Sequence, residues 1–83
     1  MPQRIVIQPP AQKELRLIDR QIAMQILEAL TRLVFQGEGD VKRLQGYDPP
    51  EYRLRVGEYR VRYRRAGEEF HVFAIRKRSD AYR

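Results

Sequence analysis

The stretch EYRLRVGEYRVRYRR, residues 51–65, decides the fold because apolar and charged residues alternate along two runs that a Gly-Glu pair separates. Alternation with a period of two is typical of β-strands that bury one face. If Gly57 and Glu58 are the central residues of a tight hairpin turn, Val56 lies opposite Tyr59 and the register is fixed. The same register pairs Leu54 with Val61, Tyr52 with Tyr63, Arg55 with Arg60, and Arg53 with Arg62. The stretch therefore predicts a hairpin with one apolar face and one arginine-rich face.

The second face of this hairpin collects side chains of like charge. Of the predicted pairs, only the outermost, Glu51 with Arg64, joins opposite charges. Like charges directly opposite each other destabilise a sheet, and one acidic residue cannot neutralise the group. Arginine also presents a planar fork of donors that grips phosphates and stacks on bases. We therefore predict a face that binds a polyanion. The alternative is that the arginines are only the solvated side of a half-buried sheet.

The preceding segment predicts a strand and a helical hairpin. QRIVIQ, residues 3–8, is a strand candidate closed by Pro9 and Pro10, and Pro10 suits the first turn of a helix. Asp19 is a candidate N-cap of a second helix, which Gly37 ends. The apolar positions at helical spacing are Ala11, Leu15 and Ile18, followed by Ile22, Ile26, Leu27, Leu30, Leu33 and Val34.

The last part of the chain predicts a loop over residues 41–50 and a third strand of the meander in FHVFAIR, residues 70–76. The predicted fold is α+β. An N-terminal strand and a two-helix hairpin precede a three-stranded antiparallel meander, and one mostly antiparallel sheet carries the helices on one face. We expect a single domain over residues 1–83.

Composition and charge narrow the function classes. The net charge is +6, and all of it comes from residues 41–83, which include twelve basic and six acidic residues. Residues 1–40 include five of each. This asymmetry favours an anionic partner, and nucleic acid over a membrane. The chain has no cysteine, which excludes a thiolate metal site and fits a reducing compartment. The longest apolar run, VFAI, is far shorter than the roughly 20 residues of a membrane span. We expect a cytoplasmic protein.

Two segments, VKRLQGYDPPEYRLRVGEYRVRYR and IRKRSDAYR, resemble the bacterial RelE/ParE toxin superfamily. The resemblance is closer to its RelE branch, the messenger-RNA interferases of type II toxin–antitoxin systems. It depends most on KRLQG, on the YRLR–GEYRVRY hairpin and on the closing R-x-x-A-Y, and the order of elements also agrees. It implies a sheet with helices on one face, an RNA-binding cleft on the other, and action on messenger RNA in the ribosomal A site.

The implied reaction is metal-free and needs no cofactor. The 2′-hydroxyl of the RNA attacks the adjacent phosphate and leaves a 2′,3′-cyclic end, which requires a proton acceptor, cations for the phosphorane and a proton donor. By position, the resemblance assigns catalytic roles to Arg53, Arg55, Arg60, Arg76, Arg78 and Tyr82. The further basic residues expected to bind RNA are Lys42, Arg43, Arg62, Arg64 and Lys77.

The proton acceptor is where the chain departs from the better-known RelE pattern. Arg53 and Arg55 stand where relatives often have lysine, and Lys77 stands where many have histidine. Arginine stays protonated, so it stabilises charge but is a poor base. The remaining candidates are Tyr82, which we favour, and the carboxylates Glu51 and Asp80.

His71 is the only histidine, and it is a weak candidate for catalysis or metal binding. Strand alternation puts it on the side of Phe73 and Ile75, at the border of the core, and a lone histidine lacks further ligands. Tyr47, in the predicted loop, is a candidate for stacking on RNA. No metal site is expected.

The resemblance also implies partners. We expect a cognate small antitoxin that covers the basic cleft, binding to the ribosome and messenger RNA, and contact with promoter DNA chiefly through the antitoxin. No membrane partner is expected. Two alternatives remain open: a noncatalytic, ParE-like inhibitor of DNA gyrase, and an inactive relative that binds only its antitoxin.

Overall fold

The hairpin forms as its alternation predicts. In the computed structural model, which describes residues 3–78, β3 (Glu51–Val56) and β4 (Tyr59–Ala66) are antiparallel, and five of the six predicted pairs occur in their ladder. The sixth, Glu51 with Arg64, is joined by an ion pair. Gly57 has φ +56°, a backbone conformation that residues with a Cβ rarely adopt. The turn is therefore tight, and it sets which side chains share a face.

Three further strands complete the sheet around this hairpin. β5 (Glu69–Lys77) is antiparallel to β4, and β1 (Arg4–Ile7) is parallel to β5. β2 (Asp40–Leu44) pairs with the free side of β3, so the strand order is β1-β5-β4-β3-β2. The predicted α+β class and mostly antiparallel sheet are confirmed.

The strand β2 corrects the prediction of a loop at this place. Its side chains are almost all exposed, and only Val41 and Leu44 are apolar. An edge strand of this kind is held by the backbone ladder with β3 and not by a buried face. It therefore carries little of the hydrophobic alternation from which strands are predicted.

Two helices cover one side of the sheet. α1 (Pro9–Arg16) begins with two prolines, and α2 (Arg20–Gln36) begins at Asp19, whose carboxylate accepts a hydrogen bond from the backbone N–H of Gln21 at 3.1 Å. Gly37, with φ +69°, ends α2 in the left-handed conformation typical of helix C-termini. The helix order and both capping predictions are confirmed. No helix within residues 3–78 is long and apolar enough to cross a membrane.

The core lies between the helices and the sheet. Its buried members come from both helices and from β3, β4 and β5: Ala11, Ile26, Leu30, Val34, Leu54, Val61, Tyr63, Phe70, Val72 and Ile75. Val72 and Ile75 are three residues apart on one strand, which regular alternation would put on opposite faces.

A register shift between β4 and β5 resolves this conflict. Val61 pairs with Ile75, whereas Tyr63 pairs with Val72, so β5 takes up one extra residue opposite the step from Arg62 to Tyr63. Such a bulge reverses the alternation of the bulged strand. As a result His71 pairs with Arg64, and the prediction that His71 shares a side with Ile75 is wrong.

We predict that ionisation of Tyr63 limits stability at alkaline pH. Tyr63 is 2% exposed, and burial raises its pKa to about 12 from 10.0. The unfolded chain loses this proton first, so the free energy of unfolding falls as pH rises from about 10 to about 12, by about 3 kcal/mol. Tyr63→Phe removes this loss.

Urea denaturation at neutral and alkaline pH measures the effect. The difference in unfolding free energy between the two pH values should be smaller for Tyr63→Phe than for the wild type. Equal differences would mean that the Tyr63 hydroxyl titrates as it does in the unfolded chain.

Candidate nucleic-acid interface

Arginine side chains collect on the side of the sheet that faces away from the helices. Residues paired across neighbouring strands lie on the same side, and the buried pair of Leu54 and Val61 identifies the helix side. The other side carries what we call the arginine face: Arg53, Arg55, Arg60, Arg62, Arg64 and Arg76. Lys42 pairs with Arg53 and lies at its edge. The predicted placement of the β3 and β4 arginines on one side of the hairpin is confirmed.

Glu51 is the buried anion that pairs with two β4 arginines of this face. It is 2% exposed, and its two oxygens accept hydrogen bonds from Nη2 of Arg62 at 2.5 Å and from Nη2 of Arg64 at 2.6 Å. Burial alone would lower the pKa of Arg62, but its interactions with Tyr47 and Glu51 outweigh burial and raise the pKa. Both oxygens of Glu51 are therefore engaged, which makes it a poor general base.

Asp40 is the anion beside the other half. Its carboxylate lies 3.8 Å from Nη2 of Arg53 and 3.8 Å from Nε of Arg55. The expectation that Glu51 is the only acidic partner of the arginines is thus wrong. Asp40 could not be recognised as a partner because β2, which positions it opposite Arg55, is predicted as loop.

A third carboxylate reaches the face from α1. Pairing between β1 and β5 ends at Ile7 and Val72, and beyond that point Glu14 accepts a hydrogen bond from the backbone N–H of Ile75 at 2.9 Å. Its second oxygen lies 2.5 Å from Nε of Arg76. Glu14 thus substitutes for the missing neighbouring strand and draws Arg76 toward the edge of the sheet.

A comparison with known protein families identifies the family of this chain. Residues 5–82 match the family described as the ParE toxin of the type II toxin–antitoxin system parDE. The chain belongs to this family. Membership of the RelE/ParE toxin superfamily, expected from the sequence, is confirmed. The protein is therefore a toxin of a type II toxin–antitoxin system.

Solved toxin structures share the fold of this chain. The archaeal RelE–RelB complex from Pyrococcus horikoshii OT3 matches at 26% identity and a TM-score of 0.77, covering 98% of this chain and 100% of that one. The RelB–RelE complex from Methanococcus jannaschii matches at 21% and 0.77, covering 93% and 94%. The YoeB–YefM complex from Staphylococcus aureus matches at 17% and 0.72, covering 92% and 97%. None of the curated proteins matches the chain.

Two residues predicted to bind RNA lie on the helix side of the toxin's sheet. Arg43 pairs with Tyr52, and Lys77 pairs with Tyr59, and both tyrosines pack against the core. Arg43 and Lys77 therefore do not belong to the arginine face. Basic residues that are adjacent in the sequence alternate between the two sides of a strand, so their charge alone does not show which side they occupy.

Arg60, to which the resemblance assigns a catalytic role, is buried. It is 6% exposed, and its Nη1 atom donates to the backbone carbonyls of Gly57 and Tyr59 at 3.2 Å each. Arg60 thus braces the β3–β4 turn. Its neighbours on the two adjoining strands are accessible: the side chain of Arg55 is 53% exposed and that of Arg76 is 50% exposed.

The end of β5 lies next to the β3–β4 turn. The backbone N–H of Arg78 donates to the carbonyl of Glu58 at 2.6 Å, which ties this end to the β3–β4 turn beside Arg60. Arg78 itself is exposed. Tyr82 and Asp80, the candidate bases, lie outside the described residues.

We predict that the Glu51 carboxylate stabilises the fold by holding two guanidinium groups. Glu51→Gln removes the charge and keeps the shape, leaving Arg62 and Arg64 without their counterion, and should lower the free energy of unfolding by about 2 kcal/mol. Glu68→Gln, in the exposed β4–β5 turn, is the matched control and should change it by less than about 0.5 kcal/mol. Chemical denaturation measures both values; equal effects of the two substitutions would contradict the role of Glu51.

Proposed function

We propose that the toxin inhibits translation by ribosome-dependent, metal-free cleavage of messenger RNA. One observation carries the proposal: two carboxylates, Asp40 and Glu51, are shared by four guanidinium groups, those of Arg53, Arg55, Arg62 and Arg64. Among the described residues, these four guanidinium groups therefore carry positive charge that the two carboxylates do not balance, whereas Arg76 is paired with Glu14. A phosphodiester backbone supplies anions at this density.

The burial of two arginines supports a functional role for the face. The Nε atoms of Arg53 and Arg62 are buried, and neither has a hydrogen-bond partner within residues 3–78. A buried donor without a partner costs about 1–3 kcal/mol. Both side chains are thus costly to bury at these positions, which fits a role in binding or chemistry.

The proposed chemistry divides between cations and a proton acceptor. The 2′-oxygen of the RNA attacks the adjacent phosphorus as its proton passes to the base, the bond from phosphorus to the 5′-oxygen breaks, and that oxygen takes a proton from solvent water, which leaves a 2′,3′-cyclic phosphate. The guanidinium groups of Arg53 and Arg55 stabilise the charge of the phosphorane, because they remain protonated and lie side by side on β3. Arg76 and Arg78 assist from the end of β5, and Lys42, Arg62 and Arg64 bind the backbone.

Tyr82 and Asp80 remain as candidates for the base in this assignment, and we favour Tyr82. Both oxygens of Glu51 are held by guanidinium groups, and both ring nitrogens of His71 are engaged by Glu69 and Gln8. We propose that Tyr82, activated by guanidinium groups of the site, accepts the proton of the 2′-hydroxyl.

A cognate antitoxin is the proposed protein partner. The RelE of Pyrococcus horikoshii was solved bound to RelB, and this chain covers all of that RelE. An acidic segment would complete the charge balance of the arginine face and so block RNA. We further propose that promoter DNA is contacted through the antitoxin.

A second candidate function is inhibition of DNA gyrase without catalysis. The matched family is named for ParE, and Arg60 is occupied in bracing its own turn. Under this candidate the arginine face binds an acidic protein surface and carries out no chemistry.

Mapping the 5′ ends of messenger RNA after brief induction of the toxin separates these candidates. We predict new ends within codons that occupy the ribosomal A site, because cleavage is proposed to depend on the ribosome. Intact messages together with accumulated gyrase–DNA breaks would instead establish the inhibitor.

We predict that Arg55→Glu abolishes toxicity and leaves the fold intact, since Arg55 is exposed on the arginine face. The slope of log RNA affinity against log salt should become shallower by about 0.7 for each phosphate that the variant no longer neutralises. Arg32→Glu, exposed on α2, makes the same change in net charge and is the control. Toxicity equal to that of the control would contradict a role for this face.

We also predict that Tyr82→Phe slows single-turnover cleavage by about 100-fold, the lower range for loss of a general base. Binding of an uncleavable RNA should stay unchanged. Cleavage at the wild-type rate would remove Tyr82 as the proton acceptor.

A further inference from the structure

A cleft of about 310 Å³ opens where the arginine face meets the β4–β5 hairpin end. It is lined by Phe73 and Pro49, by Gln8 and His71, and by residues 64–66 of β4. Its volume lies at the lower end of the range for small-molecule sites, about 300–1,000 Å³. The catalytic assignment above uses none of these residues except Arg64.

Guanidinium groups and aromatic rings are layered beside this cleft. The guanidinium carbon of Arg64 lies 4.8 Å from the centre of the Phe73 ring, and that of Arg62 lies 5.5 Å from the same ring. Arg62 is also 5.1 Å from the ring centre of Tyr47. Flat cationic and aromatic groups in this order form the kind of surface on which bases of single-stranded nucleic acid stack.

The polar end of the cleft has a fixed orientation. Glu69 Oε1 lies 2.9 Å from Nε2 of His71, so this nitrogen donates, and Nδ1 then accepts from the side-chain amide of Gln8 at 2.9 Å. A carboxylate, an imidazole and an amide thus hold one another in place. The Gln8 amide, which has both a donor and an acceptor, suits the edge of a base.

We propose that this cleft binds one nucleobase of the RNA strand whose phosphates lie on the arginine face, stacked on Phe73 with its edge at Gln8. The inference rests on the proposed function and extends it to substrate positioning. Arg64 belongs to both the cleft and the arginine face, so the two sites are continuous. A bare anion would need the guanidinium groups alone and would not use an apolar ring at their side.

The test is binding of a 2′-O-methyl RNA oligonucleotide, which lacks the attacking hydroxyl and therefore reports binding without cleavage. Phe73→Leu keeps an apolar side chain and removes the flat ring. We expect it to weaken binding about tenfold, a loss typical of one base–aromatic stack. Phe73→Tyr, which keeps the flat ring, should bind as the wild type does. Phe35→Leu, at a 60% exposed position on α2, is the matched control and should bind as the wild type does.

Oligonucleotides with a single abasic residue at successive positions locate the bound base. For the wild type, removing the base at one position should reduce the binding affinity by about as much as Phe73→Leu does. Phe73→Leu should be insensitive at that position, because the ring on which the base stacks is already absent from this variant. Binding of inorganic polyphosphate, which has no bases, should be equal for the wild type and Phe73→Leu.

The outcomes separate this inference from the proposed function. If wild-type toxin binds and cleaves RNA but Phe73→Leu and the abasic substitutions have no effect, the base site is wrong and the nuclease stands. If the wild type does not bind the oligonucleotide, the base site is wrong, and the mapping of messenger-RNA ends on the ribosome decides the nuclease separately. If Phe73→Leu weakens binding of the antitoxin and leaves RNA binding unchanged, the cleft receives a protein side chain, which also overturns the base site.

Discussion

The shared carboxylate of Glu51 is the contact on which the arrangement of the arginine face depends. Without it, Arg62 and Arg64 would repel each other on adjacent outward positions of β4, and both would repel the arginines of β3. One buried anion cannot neutralise two guanidinium groups, but it can hold them in a defined geometry. Asp40 does the same less closely for Arg53 and Arg55. The face is therefore ordered before any ligand arrives, and it still attracts anions.

Ion pairs that order the arginine side chains in advance also reduce the entropy cost of binding an anion. A guanidinium group that already has a partner loses less conformational freedom when a phosphate arrives than a free side chain would. Two carboxylates for four guanidinium groups leave part of the positive charge uncompensated while they fix the side chains that carry it. Ion pairs within the face and binding of a polyanion are thus compatible, whereas a fully neutralised face would have excluded a polyanion.

The hairpin could be predicted from the sequence because alternation and a single glycine at position 57 leave one register that places every apolar residue of residues 51–65 on the helix side. The helices were predictable from periodicity and from Asp19. Asp40 and Glu14 were not, because an exposed edge strand has no alternation, and a carboxylate that bonds Ile75 from a distant helix has no local signal. The bulge in β5 was also hidden, since FHVFAIR is apolar on both faces and no residue marks where its alternation reverses.

That bulge links the core to the proposed site. Ile75 must enter the core opposite Val61, and Val72 must enter it opposite Tyr63, so β5 has to take up one extra residue between them. The extra residue of the bulge is Phe73, whose ring contacts the guanidinium groups of Arg62 and Arg64. Removing the bulge would turn His71 toward the helices and separate it from Arg64. The cleft therefore exists because the core imposes two buried positions at an odd spacing, and the same constraint brings an aromatic ring to a cationic surface.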